Sequence, residues 1–179
     1  MASYPKYTKT VVAIPANNSQ DQHGNAVGNP QPGDIVKCHM KGLYTADRAF
    51  FAGIRVKPQQ KEFMSTHTVG ETCFMEVSIP KQIPSNPSSV NDILAHLMMT
   101  MPLGETSRFV MDLNEMDPKT KAKLVSGKMH PKAQWEAIPE DANKLELEIS
   151  SFRIVRGGKE HRRKDQNGTG GRMPGSFGM

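Results

Sequence analysis

Apolar positions along this chain fall into short alternating runs separated by turn formers, with one stretch at helical spacing. Residues 9–14 (KTVVAI) form a β-branched run that stops at Pro15, and the following ANNSQDQHGNAVGNPQPGD is rich in turn formers, so a strand leading into a long loop is expected. From Asp34 to Leu43 (DIVKCHMKGL), Val36, Cys38 and Met40 alternate with Lys37, His39 and Lys41, the period of a strand with one buried face. Ala49–Phe51 offers a continuation of the sheet. Gly53 to Gly70 is polar and basic with no clear period and reads as an extended excursion. Thr72–Ile79 (TCFMEVSI) is the next strand, closed by Pro80.

The clearest helix follows. Ser89 stands three residues before Asp92, the spacing of a capping box, and Val90, Ile93, Leu94, Leu97 and Met98 recur on one helical face until Pro102 stops the pattern. Met98, Met99 and Met101 read as adaptable core packing. Glu105–Leu113 (ETSRFVMDL) predicts a strand with Phe109 and Met111 inward, Asp117–Lys123 carries helical propensity behind Pro118, and Lys144–Val155 (KLELEISSFRIV) alternates at Leu145, Leu147 and Ile149. Five or six strands with one apolar helix between the fourth and fifth predict an α+β fold, a curved antiparallel sheet wrapped on that helix.

Composition narrows the classes. A chain of 179 residues with 36% hydrophobic content suits one domain with a sizeable core and would make two undersized ones. No apolar run approaches the roughly 18 residues of a membrane span, and MASYPKYTK lacks the apolar stretch of a secretory signal, so a cytoplasmic setting or an organelle reached without such a signal is expected. Cys38 and Cys73 are too few for a disulfide scaffold and read as small buried hydrophobes. The six histidines have no ligand spacing, so no metal is expected, and no nucleophilic triad motif or phosphate-cradling glycine loop occurs. The net charge of +5 is concentrated at the end: residues 156–179 hold six basic residues against Glu160 and Asp165, which is +4 and leaves +1 for residues 1–155. That glycine-rich segment is expected to be a disordered basic tail, the source of any attraction to nucleic acid or an acidic protein surface.

Three phrases in this order carry a resemblance. PGDIVKCHMKG (Gly33, Asp34, His39, Gly42), VNDILAHLMMTMPLGETSRFVM (Met101, Gly104, Glu105) and AIPEDANKLELEISSFRI (Ile138, Pro139) together resemble the FKBP family of peptidyl-prolyl cis-trans isomerases, over about residues 9–155. The resemblance implies residues 1–33 as the entering strand and loop and 34–155 as the remainder of the domain, with an insertion at 52–71 and an enlarged flap at 114–137. It also implies an apolar proline pocket, no cofactor and no metal. Aligned with the family phrase by phrase, the pocket candidates are Met40 at the position of a tyrosine, Phe50 at that of a phenylalanine, Phe51 at that of an aspartate, and Met75 at that of an aromatic. Val90 keeps an aliphatic lining residue, Leu94 takes the place of the tryptophan floor, Ile138 matches the residue near the flap, and Leu147 replaces a phenylalanine. No catalytic residue is identified.

Prolyl isomerisation needs no nucleophile, because its barrier of roughly 18–20 kcal/mol is amide resonance. It needs a desolvated, oriented amide. The aliphatic lining and the missing acid therefore point to a weak or inactive isomerase acting as a structural or protein-binding component of a larger assembly, cytoskeletal or ribonucleoprotein, reached through tail 156–179. An active isomerase binding proline-containing peptides and a nucleic-acid-associated protein working through the tail are the alternatives.

Overall fold

The computed structural model describes residues 3–14, 20–46, 58–66, 74–126 and 134–163. The alternating run after Asp34 becomes β2 (Ile35–Ala46), the strand around which the sheet is organised. One edge of β2 pairs along its length with β7 (Ala142–Arg156). Its other edge is shared by two strands: β4 (Met75–Ser78) pairs with Ile35–Cys38, and β3 (Gln59–Ser65) pairs with Lys41–Ala46. The change of partner would strand the polar backbone of Met40. Thr66, fully buried, meets that need: its amide donates to the Met40 carbonyl at 2.9 Å and its Oγ1 accepts from the Met40 amide at 3.0 Å.

β1 (Thr8–Ala13) and β5 (Thr106–Asp112) extend the sheet beyond β7, and β6 (Gln134–Trp135) pairs with β3, giving the order β1-β5-β7-β2-β3-β6. β8 (Lys159–Arg162) pairs with β7. Among the described residues every strand pairing is antiparallel, giving an α+β fold with an open antiparallel sheet and two short helices, α1 (Val90–Met98) and α2 (Pro118–Ser126). Inward residues of the sheet (Val36, Cys38, Met40, Phe109, Met111, Leu145, Leu147, Ile149) and Ile93, Leu94, Leu97 and Met98 of α1 form one contiguous core.

The α1 capping box is in place: Ser89 Oγ accepts from the Asp92 amide at 3.2 Å, and Asp92 Oδ2 accepts from the Ser89 amide at 3.0 Å. Ser88 adds its amide at 2.8 Å and its hydroxyl at 2.6 Å. Burial works against the charge of Asp92, but these hydrogen bonds outweigh it and hold the carboxyl below its usual range.

Among the described residues the sheet has eight strands, where the pattern predicts five or six. β3 lies inside the expected excursion 52–71: its first four residues are exposed, so only Phe63–Ser65 carry a burial signal. β8 falls in the segment expected to be a disordered tail, and β7 runs to Arg156. Gly157 and Gly158, at φ of 55° and 77°, make the two-residue turn between them, a conformation that favours glycine at both positions. Residues 156–163 therefore belong to the sheet, and 164–179 lie outside the described residues, as does the strand expected at Ala49–Phe51. β8 (KEHR) has no core residue, so periodicity cannot reveal it; it is held by backbone pairing and by ions. Within the expected flap 114–137, α2 and β6 are the described elements.

Candidate functional site

The six described pocket candidates all lie in the one buried core. Met40 faces Ile149 and Gly42 faces Leu147 across β2 and β7, so Met40 and Leu147 share the inner face. Met75 lies on β4, Val90 and Leu94 on α1, and Ile138 in the segment before β7. All six expose 7% or less and belong to the continuous core. Phe50 and Phe51 lie outside the described residues. The described set is wholly aliphatic and thioether, with no group able to accept a hydrogen bond strongly or titrate.

One aromatic of this region escaped the sequence reading. Phe63 of β3, buried in the core, lays its ring over the backbone of Gly42; a Cβ on Gly42 would lie 2.4 Å from Phe63 Cζ. The register shift between Gly42 and Leu43 makes room for it. Signals were present in the chain: a glycine inside an alternating strand marks close approach, and a lone aromatic sat in a polar run. Tyr44 packs beside it, ring centroids 6.5 Å apart. Tyr44 also lines a cleft of about 90 Å³ with Ala46, Gln59, Lys61, Pro139 and Asp141. That is well below the roughly 300–1,000 Å³ of a usual small-molecule site.

The opposite face of the sheet carries a second unanticipated group. A register shift where β2 meets β7 leaves Phe152 as the extra residue between Ser151 and Arg153. Its ring stacks on His39 at 4.9 Å and meets the edge of Phe74 at 5.8 Å. Lys37 Nζ lies 5.3 Å from the Phe74 centroid and the Arg153 guanidinium 5.7 Å from that of Phe152. Arg153 Nη1 pairs with Glu160 of β8 at 2.8 Å, while the buried Arg153 Nε has no hydrogen-bond partner. Burial opposes the charge on Glu160, but Arg162, Arg153 and Lys37 outweigh it and keep that carboxyl below its usual range. Aromatic area beside cations is the composition of residues that anchor protein contacts.

Two carboxylates in the loop before β2 tie it to the end of β7 and to β8. Arg156 Nε and Nη2 grip both oxygens of buried Asp34 at 2.8–3.2 Å, and its remaining donors reach the carbonyls of Val27 and Asn29, each at 3.1 Å. Asp21 Oδ2 meets His161 Nδ1 at 2.9 Å, while its Oδ1 accepts from the amides of His23 and Asn25, each at 2.9 Å. Asp21 and His161 are a lone pair rather than a metal site: among the described residues no group of three or more histidine, cysteine, aspartate or glutamate side chains is placed to hold a metal ion. Cys38 is buried, and burial pushes its thiol up to about 12, which makes it unreactive at neutral pH. No helix among the described residues is long and apolar enough to cross a membrane.

No protein-family model matches the chain, and no curated protein matches it.

Proposed function

We propose that this chain is a divergent FKBP-like domain that serves as a structural or protein-binding component of a larger assembly, with proline isomerase activity weak or absent. The observation that carries the reading is the packing of the pocket positions: Met40, Met75, Leu94 and Leu147 are buried aliphatic and thioether side chains within one continuous core. Packed in the core at 2% exposure or less, these four side chains present a proline-containing peptide with neither an aromatic wall nor a polar group to orient the amide. If these losses total about 3–4 kcal/mol of transition-state stabilisation, turnover falls by roughly two to three orders of magnitude.

The placement of the family phrases supports an FKBP-like architecture. Asp34 opens β2 and holds Arg156, Glu105 opens β5 and meets Lys9 at 2.6 Å and Ser107 at 2.6 Å, and Ile138 packs in the core ahead of β7. These phrase residues act in cohesion of the fold rather than in chemistry, which suits a scaffold that has kept its frame. The ring cluster around Phe152 and the basic segment 156–179 are what this reading assigns to partners.

A protease-coupled or exchange-NMR assay of the full chain on a standard proline-containing peptide tests the proposal. The expected rate is two to three orders of magnitude below that of an ordinary family member. Ordinary isomerase rates would overturn it and make the domain a folding enzyme.

A further inference from the structure

The last strand of the sheet on one side is β1, which pairs with β5 through one edge and, among the described residues, has no strand on the other. Such an edge is a template for another strand unless something guards it, commonly a lysine, a proline or a charge. Here the guard is diverted. Lys9, the only charged residue of β1, turns its ammonium to Glu105 at 2.6 Å and to the Thr100 carbonyl at 2.6 Å. The bulge between Val11 and Ala13 leaves two successive valines outside the core, so Val11, Val12 and Ile14 are 43%, 49% and 53% exposed. Of the five large hydrophobics exposed among the described residues, these three fall within residues 11–14.

The strand is also held ready. Upstream of it, Tyr4 stacks on His96 at 4.3 Å and donates to the Pro84 carbonyl at 3.1 Å, and Tyr7 meets Phe109 edge-on at 5.4 Å. Pairing therefore orders little new backbone, which lowers the entropic cost of association.

The chemistry of the edge selects its occupant. Its exposed part is neutral and β-branched, so it offers nothing to an acidic or basic segment. It is complementary to itself: an antiparallel pair centred on Val11 sets Val11 against Val11, Thr10 against Val12, Lys9 against Ala13 and Thr8 against Ile14, with no like charges opposed. We propose that β1 pairs in this register with β1 of a second copy of the chain, forming a two-fold dimer. Because the contact is isologous it closes on itself and leaves no further β1 edge for a third copy.

Sedimentation velocity on the full chain from about 1 µM to about 1 mM should show a concentration-dependent dimer. Val11→Lys should shift it to monomer, with a thermal midpoint equal to the parent's at concentrations where the parent is itself monomeric, since that side chain makes little of the core. A chain that stays monomeric throughout, or a dimer indifferent to Val11→Lys, would overturn the proposal. Register is tested separately in a Cys73→Ser background, with Cys38 buried and inert. Val11→Cys should cross-link under mild oxidation, because directly opposed residues sit within disulfide reach. Thr10→Cys should remain at the parent level, its two copies lying about 8 Å apart, beyond the roughly 7 Å limit. Equal cross-linking at both positions sinks the register.

Discussion

Asp21 is 1% exposed and fastens segments 140 residues apart, the loop before β2 and the end of β8. Burial by itself would raise its pKa, but hydrogen bonds from His161, from the Asn25 side chain and amide and from the His23 amide outweigh it and hold the carboxyl well below the usual carboxylate range. The folded value is thus below that of the unfolded chain, about 3.9. Its contribution to stability is complete at neutral pH and fades as the pH falls below about 4 toward the folded value. Asp21→Asn should lower the thermal midpoint at pH 7, and the gap between variant and parent should narrow between pH 5 and pH 3. A gap that stays constant with pH would show that the carboxylate charge is not the cause. Phe63 makes the complementary case for an apolar residue: Phe63→Ala removes a ring pressed on Gly42 and should cost about 3–5 kcal/mol in chemical denaturation. A cost under about 1 kcal/mol would mean that β3 is peripheral to the core.

Among the elements, α1 was legible because its signals are local: a cap, an acidic partner three residues on, and apolar residues at helical spacing all lie within ten residues. β2, β5 and β7 were legible because one face of each is buried, so burial writes an alternation into the residues. β3 and β8 carry no such record. β8 exists because two glycines reverse the chain onto β7 and because Glu160 and His161 find Arg153 and Asp21. The end of the cooperative unit therefore lies past β8. A chain ending at Arg163 keeps every described element and should unfold at the parent temperature. One ending at Val155 loses Arg156 and leaves Asp34 buried and unpaired, a change that typically costs about 3–5 kcal/mol. The shorter chain should melt many degrees lower or without cooperativity. Equal midpoints for the two chains would place the boundary before β8.

At the scale of the molecule, residue pattern determined the class of fold, the main strands and helix, and which side chains lie inside, because burial and backbone period are imposed residue by residue. The six described pocket candidates are buried, as ordinary core residues are, so their spacing could not separate a ligand pocket from packing. Tertiary structure decided the rest. The partner change along β2 and its repair by Thr66 depend on residues 26 apart, and the ring cluster joins His39 of β2, Phe152 of β7 and Phe74 just before β4 through a register shift. The exposure of β1 follows from the strand order β1-β5-β7-β2-β3-β6, which puts it last. Local sequence fixes where backbone hydrogen bonds are needed and which face avoids water; only the assembled sheet decides which edges stay unpaired and which distant charges meet, since those depend on pairings between segments that no short window contains.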